Sequence, residues 1–201
     1  MISIGVLASG RGSNLQAMID AIEDGYIKNA HIVIVISNKE NAYALERAKI
    51  HKIPAVFIDP TKFETRESYD QAIVEKLKGY KADLILLAGY MLILDQKFVK
   101  HFPGRIMNIH PSLLPSFPGL HAQRKALEYG VRVTGCTVHF VTDDLDAGPI
   151  ILQYPVPVKK GDTEESLSAR ILEKEHKIYP KAVKLFVENR LKIVDKRVEI
   201  L

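Results

Sequence analysis

Two polar side chains stand at the end of an apolar stretch near the middle of the chain. Asn108, Ile109 and His110 are followed at once by a proline. Because alternate side chains of a strand share a face, Asn108 and His110 leave a predicted strand on the same side. Proline cannot donate to the ladder, so the strand ends there. An amide donor and an imidazole at one strand end suit attack on a carbonyl carbon. Taken alone, the pattern also fits a structural histidine and a turn-forming asparagine.

A cluster of acids occurs later in the chain, between two long β-type stretches. Asp143, Asp144 and Asp146 precede Gly148 and Pro149. Acids in such a loop usually face water. If the strands that follow residue 110 join the same sheet, however, this loop can lie over the end of the Asn108 strand. An aspartate beside a histidine favours the imidazolium form.

A glycine-rich turn follows the first apolar stretch. Residues 9–14 read Ser-Gly-Arg-Gly-Ser-Asn and open a predicted helix, where backbone N–H groups gather around an anion. The dinucleotide fingerprint fails because Leu15 stands where the third glycine belongs, and the lysine of a P-loop is missing. The turn therefore predicts a monophosphate site, although its glycines could also serve only a tight turn.

The elements that must position these residues alternate in type along the first half. Apolar β-branched stretches and amphipathic stretches predict strands at 2–8, 32–36, 55–58 and 84–87, and helices at 14–23, 42–51 and 66–77 behind Thr65 as N-cap. This alternation predicts an α/β fold with a doubly wound, mostly parallel sheet, Rossmann-like in its N-terminal half. Ligands of such sheets bind beyond the carboxyl ends of the strands.

The pattern changes after residue 104. Stretches 133–142 and 150–158 predict an antiparallel pair of strands. Asp162 is expected to begin a final helix with Glu165 as capping-box partner, and Pro180 to kink or divide that helix. We expect one domain over residues 1–201, with a phosphate-binding half (1–104) and a catalytic half (105–201).

Composition narrows the class of protein. A chain of 201 residues that is 47% hydrophobic can bury about 70% of its unfolded surface around one core. A net charge of +4 and a pI near 9.0 suit small anionic substrates, and nucleic acid is not expected. One cysteine, Cys136, excludes an intrachain disulfide. Without a signal sequence or a membrane span, we expect a soluble cytoplasmic protein.

Six motifs together resemble a known family. They read Gly-Arg-Gly-Ser-Asn at 10–14, Ala-Gly-Tyr-Met at 88–91, Asn-Ile-His-Pro-Ser-Leu-Leu-Pro at 108–115, Pro-Gly-Leu-His at 118–121, Val-His-Phe-Val at 138–141 and Asp-Ala-Gly-Pro at 146–149. This set is similar to the glycinamide ribonucleotide formyltransferases, folate-dependent enzymes of purine synthesis. The resemblance covers nearly the whole chain. It implies the formyltransferase fold and 10-formyl-tetrahydrofolate as co-substrate, with no metal.

The resemblance also implies roles for individual residues. The catalytic residues would be Asn108, which donates a hydrogen bond to the oxyanion, and His110 as general acid or electrostatic partner. Asp146 would be the carboxylate that keeps His110 charged and takes the amine proton through water. Residues implied for the ribonucleotide are Gly12, Ser13, Asn14, Leu172, Glu173, Lys174 and Glu175. Residues implied for formyl-folate are Arg66, Met91, Leu92, Ile93, Leu94, Asn108, Thr142, Asp143, Asp144 and Leu145.

Two positions depart from the family pattern. Leu92 stands where members commonly carry arginine, which leaves only a backbone contact with folate at that point. Ala147 replaces a usual glycine and is expected to stiffen its loop.

Other functions stay open from the sequence. A formyl-tetrahydrofolate hydrolase uses the same three residues with water as acceptor, but its relatives carry an extra N-terminal domain. A methionyl-tRNA formyltransferase would need a C-terminal RNA-binding domain. Two further hypotheses are a non-catalytic phosphate-binding module and a zinc hydrolase built on His110, His121, His139 and Asp146. The partners expected are small-molecule substrates, with no membrane, and the protein would be a monomer or a homodimer.

Overall fold

A parallel sheet lies at the centre of the first of two compact units, Met1–Met107, in a computed structural model that describes residues 1–201. β1 (Ile2–Ala8) pairs in parallel with β2 (Ala30–Ser37) and with β4 (Leu84–Leu87), and β3 (Ala55–Phe57) pairs in parallel with β2. The central strands are almost wholly buried, as their continuous apolar sequences require. The N-terminal strands are confirmed at or near their predicted bounds.

Four α-helices connect these strands. They are α1 (Ser13–Glu23), α2 (Tyr43–Ile50), α3 (Arg66–Gly79) and α4 (Gln96–His101), with a short 3-10 helix at Pro60–Lys62. Thr65 caps α3 as predicted, since its hydroxyl accepts the backbone N–H of Ser68 in a reciprocal capping box. α4 was not predicted, because six residues give too short a pattern for helical periodicity.

The second unit, Asn108–Leu201, contains the predicted antiparallel pair. β5 (Ile106–His110) carries the chain into this unit and is followed by α5 (Ala122–Tyr129) and β6 (Val133–Phe140). β7 (Ile150–Pro157) runs antiparallel to β6 and leads to α6 (Glu164–Val187). The chain ends in a hairpin of β8 (Leu191–Val194) and β9 (Arg197–Ile200), which the sequence pattern did not predict.

The strand order explains why the fold is doubly wound. Seven strands form one sheet in the order β3-β2-β1-β4-β5-β6-β7. The chain moves outward from β1 to β3 and then returns to the other side of β1 at β4. Connections between parallel strands are right-handed, so connections that run in opposite directions across the sheet place their helices on opposite faces of it. The predicted α/β fold with a mostly parallel sheet is confirmed, whereas the single-domain assignment stays a prediction.

Two details of the last helix differ from the prediction. Thr163, not Asp162, is its N-cap, and Ser166, not Glu165, is the capping-box partner. Asp162 instead pairs with Arg170, whose Nη2 lies 2.6 Å from the carboxylate. α6 also continues past Pro180 without a break and is 24 residues long in total. Pro180, Tyr179 and Ala182 are all buried, so packing maintains a helix that proline alone would interrupt.

None of the helices combines the length and apolar character that crossing a membrane requires.

Candidate active site

His110 is buried at the end of β5 and both of its ring nitrogens face protein oxygens. Its Nε2 lies 2.9 Å from the carbonyl oxygen of Phe117, and its Nδ1 lies 3.4 Å from Oδ2 of Asp146. Only 5% of the residue is exposed. A carbonyl oxygen can only accept, so Nε2 must carry a hydrogen. Nδ1 faces a carboxylate oxygen, which can only accept a hydrogen bond.

Asp146 is oriented by the loop that follows β5. Its Oδ2 accepts the backbone N–H of Gly119 at 2.7 Å, and 9% of its side chain is exposed. The residue has a φ of +50°, a left-handed conformation that aspartate tolerates better than most side chains. Thus the turn-rich loop after Pro111 fixes the carboxylate that faces His110.

His139 completes the cluster from β6. Its Nδ1 lies 2.9 Å from the carbonyl oxygen of Phe140, while its Nε2 lies 3.4 Å from Nδ2 of Asn108 and 3.7 Å from Oδ1 of Asp146. Burial lowers the pKa of His139 and outweighs the opposing effects of the Phe140 carbonyl and the Asp146 carboxylate. A neutral ring that donates from Nδ1 must accept at Nε2, so the Asn108 amide presents its NH₂ group to His139. This contact fixes the orientation of the Asn108 side chain.

Thr137 links the loop after β5 to the neighbouring strand. Its hydroxyl donates to the carbonyl of Ser112 at 2.7 Å and accepts the backbone N–H of Leu114 at 3.0 Å. Both bonds are buried, where an unpaired polar group would cost about 1–3 kcal/mol. The loop that carries the Phe117 carbonyl and the Gly119 N–H is therefore anchored at its start.

The remaining predicted residues of the second unit lie in two segments. Thr142–Leu145 precede Asp146, and all four of these residues are exposed. In α6, Glu175 is buried, Leu172 is half-buried and Glu173 is exposed. Lys174 places its ammonium 5.3 Å from the centre of the Tyr154 ring.

The glycine-rich turn lies at the start of α1 in the first unit, as predicted. Gly12 has a φ of +67°, and a Cβ there would lie 2.8 Å from Cα and Cβ of Ala44. Only glycine fits this position without strain or movement of α2. The turn's carbonyls are turned toward α2: Gly10 accepts the Ala44 N–H at 3.1 Å, and Arg11 accepts from Nε of Arg47 at 2.9 Å. Nothing acidic occupies the first turn of α1, so the helix start favours an anion.

Arg66 and residues 91–94 also belong to the first unit. Arg66 donates from Nη2 to the carbonyl of Ile93 at 2.5 Å. Met91 and Ile93 are exposed, whereas Leu92 and Leu94 are half-buried. A cleft of about 390 Å³ in this unit, lined by Ser68, Asp70 and Lys97 among others, contains none of the predicted catalytic residues.

Comparison with known proteins decides the family. The model of the formyl transferase family matches residues 2–183. The chain belongs to the formyl transferase family. It is 48% identical over 192 residues to the phosphoribosylglycinamide formyltransferase of Escherichia coli, which covers 96% of this chain and 90% of that protein.

Solved structures agree with this assignment. The glycinamide ribonucleotide transformylase 1 of Symbiobacterium toebii superimposes with a TM-score of 0.98 at 54% identity, over 100% of this chain and 94% of that one. A formyltetrahydrofolate deformylase of Pseudomonas syringae superimposes with a TM-score of 0.92 at 27% identity, but this formyltransferase spans only 66% of it.

Sequence reasoning did not assign this formyltransferase's His139, Phe117 or Gly119 to the catalytic cluster. The sequence grouped His139 with His110 and Asp146 only in the zinc-hydrolase alternative. A polar residue inside the apolar stretch Val138–Val141 was the signal that could have assigned it to the catalytic cluster. The contacts of Phe117 and Gly119 are made by backbone atoms, which no sequence pattern identifies.

No group of three or more His, Cys, Asp or Glu side chains has the geometry to hold a metal ion.

Proposed function

We propose that this formyltransferase transfers the formyl group of 10-formyl-tetrahydrofolate to the amine of glycinamide ribonucleotide, in purine biosynthesis. The products are N-formylglycinamide ribonucleotide and tetrahydrofolate. The observation that carries this function is the 48% identity to the Escherichia coli phosphoribosylglycinamide formyltransferase along 96% of the chain. The cluster of Asn108, His110 and Asp146 provides groups that suit the reaction.

The reaction begins when the amine nitrogen attacks the formyl carbon and a C–N bond forms. The carbonyl electrons move to oxygen, which becomes an oxyanion in the tetrahedral intermediate. Asn108 donates a hydrogen bond to this oxyanion from the N–H that does not face His139. One such donor contributes about 2.7–4 kcal/mol to transition-state stabilisation.

His110 acts here as the electrostatic partner of the oxyanion. Because Phe117 and Asp146 occupy both ring nitrogens, the imidazolium stabilises negative charge without first releasing a proton. Asp146 keeps the ring charged. Through a water molecule it also accepts the proton that the attacking amine loses. The oxyanion then re-forms the carbonyl as the C–N10 bond breaks, and the same proton passes from Asp146 through water to N10 of folate.

The other predicted residues bind the two substrates. Gly12, Ser13 and Asn14 hold the phosphate with backbone N–H groups at the start of α1. Leu172–Glu175 contribute to ribonucleotide binding, with Glu175 as the polar contact. Arg66, residues 91–94 and Thr142–Leu145 line the folate. The aliphatic side chain of Leu92 leaves only its backbone for a polar contact.

The alternative function is hydrolysis of formyl-folate with water as acceptor, which the likeness to the deformylase of Pseudomonas syringae favours as second candidate. The two functions differ in their need for the ribonucleotide. We expect tetrahydrofolate to form from 10-formyl-tetrahydrofolate only when glycinamide ribonucleotide is present, as followed by absorbance. Equal rates of deformylation with and without the ribonucleotide would replace the transferase by the hydrolase.

A further inference from the structure

Asp70 is a buried acid of the first unit that the reaction scheme leaves without a role. Only 2% of the residue is exposed. Its Oδ2 accepts the backbone N–H of Asp95 at 2.7 Å, and its Oδ1 lies 3.0 Å from Nε of Arg66. Burial raises the pKa of Asp70, while the Asp95 N–H and the Arg66 guanidinium oppose that rise. A carboxylate is costly to bury, so these two partners are what allow it to remain there.

The backbone after β4 depends on such side chains for its shape. Residues 91–95 form neither helix nor strand. The segment is held at three points: the Met91 N–H donates to Oγ of Ser9 at 2.9 Å, the Ile93 carbonyl accepts from Arg66, and the Asp95 N–H donates to Asp70. Two of the three points therefore involve Arg66 or its carboxylate partner.

Asp70 restricts Arg66 as well as the segment. Nη2 of Arg66 is hydrogen-bonded to Ile93, and Nε lies 3.0 Å from Oδ1 of Asp70 in an ion pair that lacks hydrogen-bond alignment. The two contacts together restrict the planar guanidinium. The side chain of Arg66 keeps 34% of its surface exposed. A rigid, partly exposed guanidinium binds a ligand at lower entropic cost than a free one.

We infer that Asp70 is a positioning residue for the formyl-folate co-substrate. It acts through Arg66 and the backbone of residues 91–95 and does not itself contact the ligand. The inference rests on the proposed function, which assigns Arg66 and residues 91–94 to formyl-folate. Its distinguishing feature is an effect on folate affinity that disappears when Arg66 is absent.

The test replaces Asp70 by asparagine and measures binding as well as turnover. In Asp70→Asn an oxygen remains for the Asp95 N–H, but the charge that holds Arg66 is lost. We expect the Kd for tetrahydrofolate, measured by calorimetry, and the KM for 10-formyl-tetrahydrofolate to rise about tenfold. The KM for the ribonucleotide and kcat should change less than about twofold, because both depend on other residues.

A double-mutant cycle separates positioning from general destabilisation. If Asp70 acts through Arg66, Asp70→Asn combined with Arg66→Ala will bind tetrahydrofolate no more weakly than Arg66→Ala alone. Additive losses would give Asp70 a role independent of Arg66, and an unchanged Kd in Asp70→Asn would give it no role in folate binding. A variant that does not fold would give it a role in stability alone. Each of these results would overturn the inference.

Asp83→Asn is the matched control. Asp83 also accepts a backbone N–H, that of Ser3 at 2.9 Å, and also faces an arginine, with Nη1 of Arg105 at 4.0 Å. It precedes β4, at the opposite end of that strand from residues 91–95. Its Kd should equal that of the wild type. Wild-type protein that binds tetrahydrofolate without transferring formyl would contradict the proposed function alone, whereas a wild type that binds no folate would overturn both.

Discussion

Replacement of Asp146 by asparagine tests the electrostatics of the catalytic cluster. The carboxylate lies 3.4 Å from Nδ1 of His110, and both side chains are at least nine-tenths buried. Two unit charges at this distance attract each other by about 5 kcal/mol at an effective dielectric constant of about 20. The replacement amide still offers an oxygen to the Gly119 N–H, so the loop keeps its anchor while the charge disappears.

The dipole of the asparagine amide and a small movement of the His110 ring recover part of that attraction. We therefore expect kcat to fall by about 10²–10³, the range found when one charge-stabilising group is removed from an active site. The assay is steady-state formation of tetrahydrofolate with both substrates saturating, so that changes in KM do not enter.

Asp195→Asn provides the control for this substitution. Asp195 also has a positive φ, +54°, but it is exposed in the turn between β8 and β9. The same chemical change at the same backbone conformation should leave kcat unaltered. If Asp146→Asn retained kcat within about threefold of the wild type, the proposed support of the His110 charge by Asp146 would be refuted.

Three further predictions concern the phosphate turn, the buried thiol and the start of α6. Gly12→Ala adds about 1–2 kcal/mol of left-handed strain and a clash with α2, so the KM for the ribonucleotide should rise at least about fivefold. A Cβ added at Gly10 has no atom within 4 Å, so Gly10→Ala should leave this KM unchanged. Burial raises the pKa of the Cys136 thiol to about 12, so alkylation by iodoacetamide at pH 8 should require unfolding; rapid labelling of native protein would contradict this. Hydrogen bonds from Arg170 hold the pKa of Asp162 below its usual value. The free energy of unfolding lost in Asp162→Asn, measured by urea denaturation, should therefore be constant above about pH 5 and shrink as the pH falls below about 4. A loss independent of pH would show that the lowered pKa of Asp162 does not contribute to stability.

The sequence predicted those parts of the fold that depend on continuous patterns. The apolar stretch at β1 and the Thr65 N-cap of α3 lie where the pattern placed them, because buried parallel strands and capped helices have strong local signals. Pro180 shows the limit of such signals. Its intrinsic effect is to interrupt a helix, but tertiary packing keeps α6 continuous.

The candidate site was predictable where side chains recur in a recognisable order. Asn108 and His110 share a strand face, and Asp146 meets His110 across 36 residues of chain, as the predicted sheet allowed. His139 was missed as a partner because its role depends on the register of β6, which sequence does not specify. The ion pair of Arg66 with Asp70 spans one helical turn, but the bonds that both make to residues 93 and 95 depend on tertiary structure.

The destination of the formyl carbon is the most direct test of the account. Wild-type protein is incubated with glycinamide ribonucleotide and with 10-formyl-tetrahydrofolate labelled with carbon-13 in the formyl group. The products are observed by nuclear magnetic resonance. The account predicts that the label appears as an amide carbon bonded to the glycine nitrogen, in step with tetrahydrofolate formation. Label that accumulates as free formate while the ribonucleotide remains unchanged would contradict it.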